Sequence, residues 1–144
     1  MLRLPDKMEQ ILLLVHGRGL REIDVAEKLG ISKQAVSKSL REGRGRLSQL
    51  FLHVAELLNA DIVRASLEKG CAVLKSRQLK RKIYVIYVPG KGLRTLFEGE
   101  IDCSKENQRI CSEIVEAGRQ WGLLKETRGA LEKLVRDLID LVES

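Results

Sequence analysis

The stretch EIDVAEKLGISKQAVSKSLREG, Glu22 to Gly43, decides how the front of the chain folds. Ile23, Ala26 and Leu29 recur at i, i+3 and i+6, the stripe of a short helix, and Gly30 supplies the left-handed backbone that ends it. Ser32 is a helix cap. Val36 and Leu40 give the next helix a buried underside, and Gly43 is its expected end. Ala26 is small where two helices would cross, and Ile31 plugs the corner between them. At about 100° per residue, Lys33, Ser37, Arg41, Gln34 and Lys38 fall within a sector of about 140°, with Ala35, Ser39, Val36 and Leu40 on the other side. One face is apolar or small. The other carries the donors and acceptors that bind phosphates and read base edges in a major groove. Arg44 and Arg46 continue the basic run.

This segment resembles the helix-turn-helix of phage repressors, Cro proteins and prokaryotic one-component transcription regulators. The likeness covers about 22 residues, or 43 with the preceding helix, of 144. It implies a partner, double-stranded DNA, and base or phosphate contacts from Ser32, Lys33, Gln34, Ser37 and Lys38, with Arg41, Arg44 and Arg46 as further basic contacts. The same pattern is also compatible with a merely solvated face, or with a helix-turn-helix that binds protein.

Working outward, Pro5 and the Asp6–Glu9 spacing read as a helix start with a capping box. Met8, Ile11, Leu12 and Val15 form its apolar face, and Gly17 and Gly19 end it. Beyond Arg46, the residues Leu47, Leu50, Phe51, Val54, Leu57, Leu58, Ile62 and Ala65 recur at helical spacing up to Gly70, so a long helix over 46–69 is expected, with Asn59-Ala60-Asp61 as a possible break. The character then changes to strands at 71–74, 82–88 and 93–98. Pro89-Gly90 suits a type II turn. The strand over 82–88 is apolar on both faces and demands cover on both sides. Ile110, Ile114, Ala117 and Trp121 mark a further helix capped by Ser104. Leu124, Leu131, Leu134, Leu138 and Leu141, widened by Val135, Ile139 and Val142, mark a last one, with i, i+4 pairs Glu132–Arg136 and Lys133–Asp137 outside.

Composition limits the function classes. The chain has 26 Lys and Arg against 20 Asp and Glu, a net charge of +6, and an aromatic share of 3%. Residues 1–50 carry 10 basic against 6 acidic side chains, 51–99 carry 9 against 4, and 100–144 carry 7 against 10. A basic front suits a polyanion and an acidic end suits another task. No apolar run reaches membrane-spanning length, so a cytoplasmic protein with no membrane partner is expected. Cys71, Cys103 and Cys111 are odd in number and lack a Cys-x-x-Cys pair, so neither a disulfide framework nor a zinc site is expected. Pro89-Gly90-Lys91-Gly92 lacks the spacing of a phosphate-binding loop. No cofactor, metal or catalytic constellation stands out, and no enzyme is expected.

Two weaker signals remain open. Lys75, Arg77, Lys80, Arg81 and Lys82 form a second basic cluster that could touch DNA or be a solvated connection. The hairpin tip with Lys91 and Arg94 resembles the wing of winged-helix proteins, although about 40 residues separate it from the recognition helix. The resulting expectation is a mainly α chain with a small β-hairpin element. It comprises a helix-turn-helix DNA-binding domain over 1–43, then over 44–144 a long connecting helix, short strands and a C-terminal helical pair that dimerises through 104–144. The expected function is sequence-specific transcriptional regulation as a homodimer. The alternatives are a protein-interaction module and a ligand-sensing regulator with a pocket in its C-terminal half, its small-molecule effector unknown.

Overall fold

Local sequence accounts for most of the helix ends. In the computed structural model, which describes residues 3–126 and 128–144, α1 (Asp6–Leu12) runs into a π-helical turn, Leu13–Gly17. The extra residue in that turn rotates the face that follows it, so Leu14 is buried where simple helical spacing placed Val15. The expected capping box is not made: Pro5 is the N-cap, Asp6 bonds Arg3, and Glu9 is used elsewhere. In α2 (Glu22–Leu29) the buried residues are Val25 and Ala26, while Ile23 of the expected stripe is exposed. Gly30 (φ 66°) ends α2, with Ile31 N–H donating to the Ala26 carbonyl at 3.1 Å and Gly30 N–H to the Glu27 carbonyl at 3.3 Å. This is the Schellman arrangement. The Ser32 hydroxyl accepts from Ala35 N–H at 3.1 Å and starts α3 (Lys33–Leu57).

Here the structure corrects the expected architecture. α3 is one helix of 25 residues; it does not end at Gly43, and the expected boundary between 43 and 44 falls inside it. A Cβ on Gly43 would lie 3.1 Å from Leu12 Cδ1. The glycine is thus a close-packing position under α1 and not a stop. The helix ends at Leu57, and Asn59, at φ 50°, turns the chain into a strand. Ile62 and Ala65 therefore lie in β1 (Ala60–Ser66) and do not prolong the helical stripe.

β1, β2 (Cys71–Ser76), β3 (Lys82–Val88) and β4 (Gly92–Phe97) form one antiparallel sheet in the order β1-β2-β3-β4. With five α-helices among the described residues and a four-stranded sheet, the chain is not mainly α with a small hairpin. The strand missed by sequence reading, β1, shows an exposed and irregular burial pattern instead of alternation. Its pairing with β2 shifts between Ile62 and Arg64, a bulge of the kind that blunts an edge strand.

Both faces of β3 are covered from within the chain. Tyr87 points to one side, where its hydroxyl bonds the Glu9 carboxylate of α1 at 2.6 Å. Tyr84 points to the other, where its hydroxyl bonds Glu143 of α5 (Leu131–Glu143) at 3.0 Å. The α5 residues Leu134, Val135, Leu138, Ile139 and Val142 are buried, packed with α4 (Gln108–Gln120) over β3. The leucine stripe therefore needs no second subunit to leave water, which removes the reason for placing dimerisation in residues 104–144. A Cβ on Gly118 of α4 would meet Leu124 and Leu138 side chains at 3.0 and 3.1 Å, so the two helices pack closely.

Two cysteines also depart from expectation. Cys103 and Cys111 form a disulfide. Treated as neighbours on one helix they diverge, but Cys103 precedes α4, and a 3-10 turn, Lys105–Asn107, folds it back to a Cα separation of 5.7 Å. Ser104 heads that turn, and its hydroxyl donates to Asp102 instead of accepting from a helical N–H. Cys71 is a buried free thiol, and burial pushes its pKa up to about 11. No described helix is long and apolar enough to cross a membrane.

Candidate nucleic-acid interface

The first four turns of α3 split the side chains as the helical geometry requires. Val36, Leu40, Gly43 and Leu47 are buried against the protein, and Ser32, Lys33, Gln34, Lys38 and Arg41 are exposed. The turn at Gly30 and the Ser32 cap set where the helix begins, and so which residues stand at its free end. Lys38 has Glu42 at 4.0 Å, one turn on. Such an exposed pair is worth little and opens easily.

Three of the sequence-predicted residues are placed differently. The Ser37 hydroxyl is half-buried and donates to the Glu22 carboxylate of α2, so it ties the two helices together. Arg44 is half-buried, with its guanidinium donating to His16 Nε2. Arg46 is exposed but lies about 140° around the helix from Arg41 and more than two turns along it from Lys38. The structure thus brings Ser32, Lys33, Gln34, Lys38 and Arg41 together and leaves Ser37, Arg44 and Arg46 outside that group. Glu22 and His16 were not expected from sequence as the partners of these side chains. They lie 15 and 28 residues from their partners, and no local spacing announces contacts of that range.

The other basic regions are internally neutralised to a large degree. In the cluster over 75–82, Arg77 pairs with Asp61 at 2.7 Å, Arg81 with Glu100 at 3.3 Å and Lys82 with Glu143 at 2.8 Å. At the β3–β4 turn, Lys91 and Arg94 both reach the largely buried Glu113 of α4, at 3.4 and 3.5 Å. Gly90 N–H donates to Glu9 at 3.0 Å. The tip is tucked between α1 and α4 and is not a projecting wing.

Among known proteins, the RNA polymerase sigma factor SigZ of Bacillus subtilis (strain 168) is 42% identical over 48 residues, 33% of this chain and 27% of that protein. The chain thus spans little more than a quarter of the length of this curated relative. No protein-family model matches the chain, and no solved structure matches it.

The N-terminal helices and the sheet share one junction. Trp121, at the end of α4, donates from Nε1 to the Tyr87 carbonyl at 2.8 Å, and its ring meets that of Tyr87 edge-on. A Cβ on Gly17 would lie 2.1 Å from the Gln120 carbonyl oxygen, so the π-helical turn and the end of α4 touch backbone to backbone. Burial, with the Glu9 hydrogen bond, holds the Tyr87 hydroxyl far above the usual phenol range. It stays a neutral donor. The face on α3 is therefore carried by a body that includes the sheet.

Proposed function

We propose that this protein is a sequence-specific, duplex-DNA-binding regulator of transcription that presents the N-terminal turns of α3 to a major groove by a helix-turn-helix. The observation that carries the reading is the division of α3: Lys33, Gln34, Lys38 and Arg41 stand exposed beyond the Gly30 turn, while the opposite side is locked into the core by Val36, Leu40 and Leu47. Exposed Lys and Arg bind phosphates and Gln reads adenine edges. The 48-residue likeness to a sigma factor fits a role in transcription. Homodimerisation is part of the proposal because paired half-sites multiply the affinity of a short helix. The α5 stripe, being buried, would not be the pairing surface.

Salt titration of labelled genomic fragments tests the proposal. If each chain neutralises about three phosphates, log K falls against log salt with a slope of about −3 per chain. Light scattering of the DNA-bound protein gives the number of copies. No binding to any fragment at low salt would sink the reading. The same likeness to a sigma factor favours a second reading, in which the face docks on RNA polymerase. That reading expects little salt slope on free DNA and co-elution with polymerase.

A further inference from the structure

One cation beside the exposed face of α3 has a partner of an unusual kind. Arg44, one turn beyond Arg41, donates to His16 Nε2 from both Nε (3.2 Å) and Nη2 (3.0 Å). A guanidinium only donates, so Nε2 is unprotonated and the ring is in its neutral Nδ1–H form. Arginine ordinarily turns this two-nitrogen edge to a carboxylate or phosphate. Here it meets an acceptor that disappears when the ring takes a proton.

We propose that His16 is a positioning residue for Arg44: neutral, it holds the Nε–Nη2 edge against the protein, and protonated, it frees that edge for a DNA phosphate. This deepens the DNA-binding reading and rests on it. The step is a proton transfer from solvent hydronium to Nε2, leaving water. The two hydrogen bonds break, and the new imidazolium faces a guanidinium of like charge at about 3 Å, a repulsion that drives the two apart. The charged groups acting on the ring are Arg44 from α3 and Glu68 from the turn between β1 and β2. Arg119 of α4, which borders a cavity with Gly17, is occupied with Glu116. Burial first and Arg44 second hold the imidazole below its ordinary value, with Glu68 opposing them. The ring is therefore neutral at neutral pH and takes its proton only below the ordinary imidazole range. The chain has two histidines, and the other, His53, is exposed on α3, which makes the assignment of a pH response direct.

The test measures DNA affinity of the full chain against salt at about pH 7.5 and about pH 5. The wild type is expected to gain about one phosphate contact per chain in acid, a slope steeper by about 0.9. His16→Ala should show the steep slope at both pH values. His16→Gln, which keeps an acceptor that does not titrate, should show the shallow slope at both, and it serves if the alanine variant fails to fold. Arg44→Ala should be shallow throughout, and His53→Ala should behave as wild type. In DNA-free protein, the Arg44 Nε–H resonance should move with the titration of the His16 ring. A pH response that survives in His16→Gln, or that vanishes in His53→Ala, overturns the inference while DNA binding stands. A flat Arg44 resonance overturns it without reference to DNA. Absence of DNA binding at both pH values overturns the DNA reading and the phosphate step with it.

Discussion

The exposed end of α3 and the β2–β4 side of the sheet are both rich in Lys and Arg, yet they differ in what surrounds the charge. On α3, Lys33 and Arg41 make no ion pair among the described residues, and Lys38 has one neighbour at 4.0 Å on its own helix. On the sheet, Arg77, Arg81, Lys82, Lys91 and Arg94 each face a carboxylate from another part of the chain. Net charge ranks residues 51–99, with 9 basic against 4 acidic side chains, above residues 1–50, with 10 against 6. The pairing reverses that ranking, because a cation already neutralised in the folded state has little left to exchange for a phosphate counterion. Net charge marks a region as able to meet a polyanion. Which cations are free is decided by the tertiary neighbours.

The largest expected effect comes from the buried side of the same helix. Val36→Asp places an unpaired carboxylate at a fully buried position and should cost on the order of 3–5 kcal/mol of stability, measured by denaturant unfolding. A melting temperature close to wild type would mean that the two sides of α3 are wrongly assigned. Gly17→Ala comes next: its Cβ would lie 2.1 Å from a backbone carbonyl, and the forced shift should cost up to about 3 kcal/mol although no DNA-facing group is touched. An unchanged unfolding midpoint would show that the α1–α4 junction is slack. On the exposed face, Lys38→Ala or Gln34→Ala should weaken specific DNA binding by about 1–3 kcal/mol if the side chain reads a base. The melting temperature should not move. The smallest effect on DNA is expected from the sheet. Lys91→Ala combined with Arg94→Ala should change the dissociation constant less than about twofold but lower stability, because Glu113 is left largely buried and without its cations. A large loss of DNA affinity in that double variant would erase the contrast between the two regions and restore the hairpin tip as a wing.

Legibility followed the range of the interactions. The Gly30 turn, the Ser32 cap and the Val36–Leu40 underside act within one or two turns of backbone, and the structure has each of them where spacing placed it. Strands β2, β3 and β4 announced themselves by β-branched and aromatic runs. β1 did not. Its apolar residues continue the three-and-four spacing of α3, and only the pairing with β2 makes it a strand. Gly43 was misread for a related reason: a glycine inside a helical pattern signals either a stop or a close approach, and Leu12, 31 residues away in sequence, decides between them. The leucine stripe of α5 was visible, but whether it faced a second copy or its own chain was not.

The sequence by itself determined where α2 ends and α3 begins, which residues share each face of α3, and that both faces of β3 need cover. These follow from bond geometry, capping and the period of the apolar residues, all local properties. The tertiary structure alone decided that β3 is covered by α1 and α5 of the same chain, and that Cys103 meets Cys111. It also decided that Ser37 and Arg44 turn inward to Glu22 and His16 while Lys33, Gln34, Lys38 and Arg41 stay exposed. The physical reason is that a side chain's availability depends on the group that packs against it. That group comes from a distant part of the chain, which local spacing does not encode.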